Sequence, residues 1–111
     1  MATKKDFAEF VREQLRRAGE ISLRKMFGDY GIYLNGKFVG LICDNQVFIK
    51  ETKSGRRMLE EAGALVLEGL PYEGAKTPYF MIDDLDDDEF LGEFLRLSDP
   101  EIPWQKVKMK K

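Results

Sequence analysis

Met26-Phe27-Gly28-Asp29-Tyr30-Gly31-Ile32-Tyr33-Leu34-Asn35-Gly36-Lys37-Phe38-Val39-Gly40-Leu41-Ile42-Cys43 is the stretch on which the fold turns. Tyr30, Ile32 and Leu34 alternate with Gly31 and Tyr33, the period of a β-strand, which places Tyr30 and Tyr33 on opposite faces. Asn35-Gly36 separates this run from a second apolar run at Lys37 to Cys43. Two such residues between apolar runs predict a hairpin, because both tolerate positive φ. The second run is apolar on both faces, with Phe38 and Ile42 on one and Val39, Leu41 and Cys43 on the other. A strand of that kind is covered on both sides, by the rest of the chain or by a partner. Gly28 and Gly31 bracket a tight turn into the sheet.

Outward from this centre the pattern predicts more sheet. Asp44-Asn45 is a second turn, followed by a strand at Gln46 to Lys50, and Ser22 to Phe27 adds a strand in front. Towards the N-terminus, Phe7, Phe10, Val11, Leu15 and Ala18 recur at helical spacing. Asp6 with Glu9 predicts a capping box there, and Gly19 a stop. Lys5, Arg12 and Arg16 fall off the stripe. On the other side, Ser54 to Ala62 predicts a short helix with a Met58, Leu59, Ala62 stripe, capped by Ser54 or Thr52 and stopped by Gly63. Ala64 to Leu67 reads as a strand, Glu68 to Pro78 as loop, and Tyr79 to Ile82 as a strand. Asp83 to Glu89 is an acidic turn opening a third helix with the stripe Phe90, Leu91, Phe94, Leu95. Pro100 and Pro103 end the pattern. Residues 1–103 form the expected domain, and 104–111 a basic, disordered tail.

Composition bounds the function. The chain has 111 residues, 43% hydrophobic and 12% aromatic, enough for one domain with a core. Its 18 Lys and Arg against 20 Asp and Glu give no global case for nucleic acid or membrane. No apolar run reaches the length of a membrane span. The single cysteine, Cys43, excludes an internal disulfide and fits a reducing compartment, so a cytoplasmic location is expected. The sequence holds no histidine, which excludes Ser-His and Cys-His catalysis and every His-containing metal site.

The remaining chemical motifs fail on spacing. Asp84, Asp86 and Asp88 match the start of a calcium loop, but Glu89 stands where glycine is needed and Leu95 where the bidentate glutamate is needed. Gly28-Asp29-Tyr30-Gly31 lacks the third glycine of a dinucleotide fingerprint and opens a strand. Cys43, ending a buried strand without a histidine, reads as a structural thiol. Charge is unevenly spread: residues 1–58 carry 12 Lys and Arg against 7 Asp and Glu, and residues 59–111 carry 6 against 13. Arg12, Arg16, Arg17, Arg24 and Lys25 near Tyr30 and Tyr33 suggest a basic, aromatic face of the kind that grips nucleic acid.

The run Met26, Phe27, Gly28, Tyr30, Gly31, Tyr33 and Gly36 resembles the opening of the TfoX N-terminal domain family, that of the competence regulator TfoX/Sxy. Arg24 through Leu41 follows the family pattern, with Val39-Gly40-Leu41 in place of its F-G-L. The likeness continues through Asp44 to Lys50, Ala62-Gly63, Pro78-Tyr79-Phe80 and the helix at Phe90 to Leu97, covering about residues 5–98. The resemblance implies an α+β domain similar to secretion chaperones: an N-terminal helix, an antiparallel meander of four to five strands and two further helices. It implies a bacterial, cytoplasmic protein with no catalysis and no cofactor. Two-domain members promote competence genes for DNA uptake together with the cyclic-AMP receptor protein. Their second, helix-hairpin-helix-like domain has no counterpart in these 111 residues.

The expected function is thus a non-enzymatic interaction domain of regulatory type. Its partner would be a protein, such as a transcription regulator, and the doubly apolar strand suggests a homodimer. Two rivals stand beside it. One is a nucleic-acid accessory domain using Arg12, Arg16, Arg24 and Lys25. The other is an enzyme or small-ligand binder with a cleft near Tyr30, Tyr33 and Tyr79.

Overall fold

A computed structural model describes residues 3–26, 28–70 and 78–104. It is an α+β fold in which three helices lie against a six-stranded antiparallel sheet. Helix α1 spans Lys5–Leu15 and buries Ala8, Val11 and Leu15. Phe10, expected on the same stripe, is exposed: at 3.6 residues per turn it falls more than about a quarter turn from the centre of the buried arc. The Asp6 capping box does not form. The helix starts one residue before Asp6, with Lys4 as its N-cap and no side-chain cap, and Glu9 pairs with Arg12 instead. Tertiary bonds set that start, because the Lys4 N–H donates to Asn45 Oδ1 at 3.0 Å. A 3-10 turn at Arg16–Ala18 and then Gly19 end the segment.

The strands are β1 Ile21–Met26, β2 Asp29–Leu34, β3 Lys37–Cys43, β4 Gln46–Lys50, β5 Glu68–Gly69 and β6 Tyr79–Ile82, in the order β1-β2-β3-β4-β6-β5. Both predicted turns form with left-handed backbone, expected at Asn35-Gly36 and present also at Asp44-Asn45. The sheet has six strands against the four to five expected, and the segment between α2 and β6 is revised. Ala64 to Leu67 is not a strand, and Glu68–Gly69, expected as loop, pairs with Tyr79 and Phe80. Two residues lie below any sequence periodicity; the open edge of β6 supplies the pairing.

The faces of β3 also differ from simple alternation. Tyr33 pairs with Phe38 and Ile32 with Gly40, which leaves Val39 as the extra residue of a β-bulge. The bulge shifts the phase. Val39 and Ile42 both enter the main core, whereas Phe38, Leu41 and Cys43 join Phe48, Tyr79 and Tyr33 on the opposite face. Gly40 permits this, since a Cβ there would lie 2.2 Å from the Phe48 carbonyl oxygen. Phe38 and Leu41 are buried within the single chain.

Helix α2 (Lys53–Glu61) is capped by Thr52, whose Oγ1 accepts from the Gly55 N–H at 2.9 Å and donates to Ser98 Oγ. It stops at Gly63, with φ +73, where the Gly63 N–H donates to Glu60 O and the Ala64 N–H to Leu59 O. Ala62, expected on the apolar stripe, is exposed at this end. Helix α3 (Asp88–Ser98) is capped by Asp87, which accepts from the Phe90 N–H at 3.1 Å. Its Leu91, Phe94 and Leu95 meet Phe80, Ile49 and Val11 in the main core. Order continues past Pro100: a 3-10 turn at Asp99–Glu101 leads to buried Ile102. Lys37, buried at the start of β3, holds that turn, its Nζ donating to Asp99 O and Ile102 O at 2.8 Å and pairing with Asp99 Oδ1. The expected basic tail at 105–111 lies outside the described residues, and Trp104 is exposed, its ring 5.3 Å from Lys37 Nζ. No helix among the described residues is long and apolar enough to cross a membrane.

Candidate functional site

The family-like motif is a folding device in the positions the structure describes. Gly36 makes the β2–β3 turn, and Gly31 is buried in the ladder between Arg24 and Leu41. Gly28, with φ +85, leads into β2, and Met26 ends β1; Phe27 lies outside the described residues. Tyr30 packs on the helix-side core, and Tyr33 lies on the other face, 5.5 Å from the Phe38 ring. Asp29, which the sequence reading did not single out, organises this corner. Its Oδ1 accepts from Thr3 Oγ1 at 2.8 Å, from the Thr3 N–H and from the Asp44 N–H at 3.1 Å. Its only sequence signal is a carboxylate between two glycines at a strand start. The Cys43 thiol is pushed up to about 11, by burial first and by Asp29 and Asp44 next. At neutral pH it is a poor nucleophile.

The basic residues are not gathered on one surface. Arg12 lies on α1, pairs with Glu9 at 3.4 Å and donates from Nε to Ile21 O. Arg16 bonds Glu13 at 3.2 Å and Asp88 at 3.0 Å, and Arg17 shares Asp88. Arg24 lies on the far face of the sheet, 5.4 Å over the Tyr33 ring. Lys25 is exposed on β1 opposite Tyr30. The three tyrosines are likewise divided. Tyr33 and Tyr79 join the cluster on the far face and Tyr30 the main core.

A cleft of about 490 Å³ opens elsewhere, between the end of α2, residues 64–67, the end of β6 and the start of α3. Leu59, Leu67, Met81, Ile82, Phe90 and Leu91 form its floor and walls. Leu65 stands at its lip, 79% exposed, and Asp83, Asp84 and Asp87 line its rim. A smaller hollow of about 120 Å³ continues from it, sharing Leu67, Met81, Ile82 and Asp83. Among the described residues no ion pair reaches Asp83, Asp84, Asp86 or Asp87. Asp88 differs: bonds from Arg17 and then Arg16 hold its carboxyl below the usual range. The aspartates read in sequence as a helix cap therefore divide into a cap (Asp87), a paired anion (Asp88) and carboxylates without a counterion among the described residues, of which Asp84 accepts from the Asp86 N–H at 3.0 Å. Sequence reading missed the cleft because Leu65 reads as strand and the rim as solvated surface; three separate elements assemble it.

A second, shallow hollow of about 500 Å³ lies against the N-terminal part of α2, beside Glu51 and Arg56. Arg56 bonds Glu51 at 3.1 Å and also Glu68, tying α2 to β5. Burial and then the neighbouring Glu68 raise the Glu51 carboxyl above its ordinary value. Among the described residues no group of three or more Cys, Asp or Glu is placed to hold a metal ion.

Residues 13–98 match the family model of the TfoX N-terminal domain. The chain is also similar to an uncharacterized 12.7 kDa protein in the trpE 5' region of Spirochaeta aurantia, 32% identical over 111 residues, which span all of this chain and 93% of that protein. That relative carries no assigned activity. With a match that runs from the last turn of α1 to the last residue of α3, the chain belongs to the TfoX N-terminal domain family.

Proposed function

We propose that this domain is a non-enzymatic protein-interaction module of regulatory type, working in the cytoplasm, in the manner of the competence regulators of its family. The cleft at the α2–β6–α3 junction carries this reading. It pairs an apolar floor with Leu65, a large apolar side chain left 79% exposed, and contiguous exposed apolar surface marks contact sites. The chemistry of the chain supports it. The sequence offers no histidine as a base, and the thiol of Cys43 is held protonated at neutral pH. The basic residues are divided between α1, where Arg12 and Arg16 pair with carboxylates, and the far face of the sheet, where Arg24 lies over Tyr33, a scatter that favours a protein partner over nucleic acid.

The test is capture from the native bacterium with a tagged full chain, with and without nuclease, beside a Leu65→Glu variant of unchanged melting temperature. A stoichiometric protein that survives nuclease and is lost from the variant is the expected result. Recovery that vanishes with nuclease moves the function to nucleic acid. A partner equally retained by the variant removes the cleft from the reading.

A further inference from the structure

We propose that the cleft receives a cationic amphipathic segment of a partner protein, its large apolar side chains seated on the floor and its Lys or Arg groups on the aspartate rim. This rests on the interaction reading above and adds the chemistry of the partner. The floor is mostly apolar, formed by Leu59, Leu67, Ile82 and Phe90, and the charged side chains that line the cleft are the rim aspartates. The rim decides the sign of the partner. Asp83, Asp84 and Asp87 on the rim, and Asp86 next to them in the chain, have no counterion among the described residues, whereas neighbouring Asp88 already has two arginines. The N-terminal dipole of α3, worth about half a positive charge, is outweighed by these carboxylates and is already capped by Asp87. An acidic segment would be repelled. A purely apolar one would draw water away from the carboxylates without replacing it, which is unfavourable. A cationic segment replaces that water with charge-assisted hydrogen bonds.

The shape favours a segment over a compact small molecule. The main cleft and the smaller hollow share Leu67, Met81, Ile82 and Asp83, so the concave surface runs on from the apolar floor to a mixed stretch bearing Phe7, Val47 and Leu85 beside Asn45 and Gln46. Leu65, exposed, flanks it on the chain leading to β5. A repeat of apolar and basic side chains matches such a surface.

The test titrates the full chain with two synthetic peptides of equal length, a Leu/Lys amphipathic repeat and its Leu/Glu counterpart. Calorimetry gives the affinity and backbone amide NMR gives the place. The Lys peptide is expected to bind, shifting the amides of Leu65, Met81, Ile82 and Phe90. Its affinity should fall about tenfold or more between about 50 and 300 mM NaCl. An Asp83→Asn, Asp84→Asn, Asp86→Asn variant, which leaves the Asp87 cap intact, should lose about tenfold while keeping its thermal melt. The proposal is overturned if the Glu peptide binds equally, if the triple variant binds the Lys peptide as well as wild type, or if the shifts lie outside the cleft. Shifts at the cleft on replacing Lys106, Lys108, Lys110 and Lys111 by Gln, without peptide, would assign it to the chain's own basic residues and overturn a separate partner. If the Lys peptide fails while Leu65→Glu still abolishes capture of the native partner, the cationic inference falls and the interaction reading stands; if both fail, both fall.

Discussion

Gly40 illustrates how much one missing carbon decides. The β3 bulge brings its Cα against β4, with the Phe48 carbonyl oxygen 2.2 Å from where a Cβ would sit. That obstacle is backbone, so it cannot rotate aside. Gly40→Ala is expected to cost about 1–3 kcal/mol, read as a lower urea midpoint with an unchanged slope. Cys43 makes a different prediction. With its thiol pushed up to about 11, little thiolate exists at pH 8. Alkylation of the folded chain should be slower than that of the urea-unfolded chain by on the order of a hundredfold. A rate equal to the unfolded one would mean that Asp29, Asp44 and burial do not hold the thiol as the geometry says.

Helix ends are where local chemistry and tertiary contact meet. Thr52 and Asp87 cap α2 and α3 as short polar side chains do, but Glu101, in the turn after α3, also accepts from the Lys53 and Ser54 N–H groups. Bonds from Ser54 depress the Glu101 carboxyl, and Arg17 and Arg16 depress that of Asp88. A carboxyl whose folded pKa lies below its unfolded value adds stability above the unfolded pKa and loses it as pH falls through the folded one. Glu101 and Asp88 should therefore contribute a decline of the urea midpoint as pH falls through and beneath the ordinary carboxylate range, about 4, while Glu51, whose carboxyl is raised, contributes the opposite slope at higher pH. Asp88→Asn should lower the midpoint at pH 7 and shrink the acid decline; an unchanged decline would show that the pair with Arg16 and Arg17 contributes nothing. At this scale the sequence is legible: the Asn35-Gly36 turn, the Gly63 stop and the α3 stripe form as spacing predicts. The failures have one cause. Asp6 is displaced as a cap because Asn45 and Asp29 anchor the chain in front of α1, and Glu68–Gly69 becomes strand because β6 has an open edge.

Across the whole molecule, long-range polar ties close the fold. Lys37 bonds residues more than sixty positions away, at Asp99 and Ile102, and so fastens the β2–β3 hairpin to the turn that ends α3. Lys37→Met removes these bonds and should cost about 1–3 kcal/mol in urea unfolding, with Trp104 fluorescence reporting the loosened end. A variant as stable as wild type would show that the fastening is dispensable. The sequence by itself determined the α+β class, the three helices, the hairpin at its centre and the division of Tyr30 from Tyr33, because each rests on neighbours within a few residues. The motif around Gly28 and Gly31 sufficed for the family. Only the tertiary structure decided which face Val39 and Phe38 occupy, that Asp29 and Lys37 are anchors, and that three aspartates border an apolar cleft. A one-residue bulge reverses a strand's faces, and a cleft built from α2, β6 and α3 depends on approaches through space that no local period records.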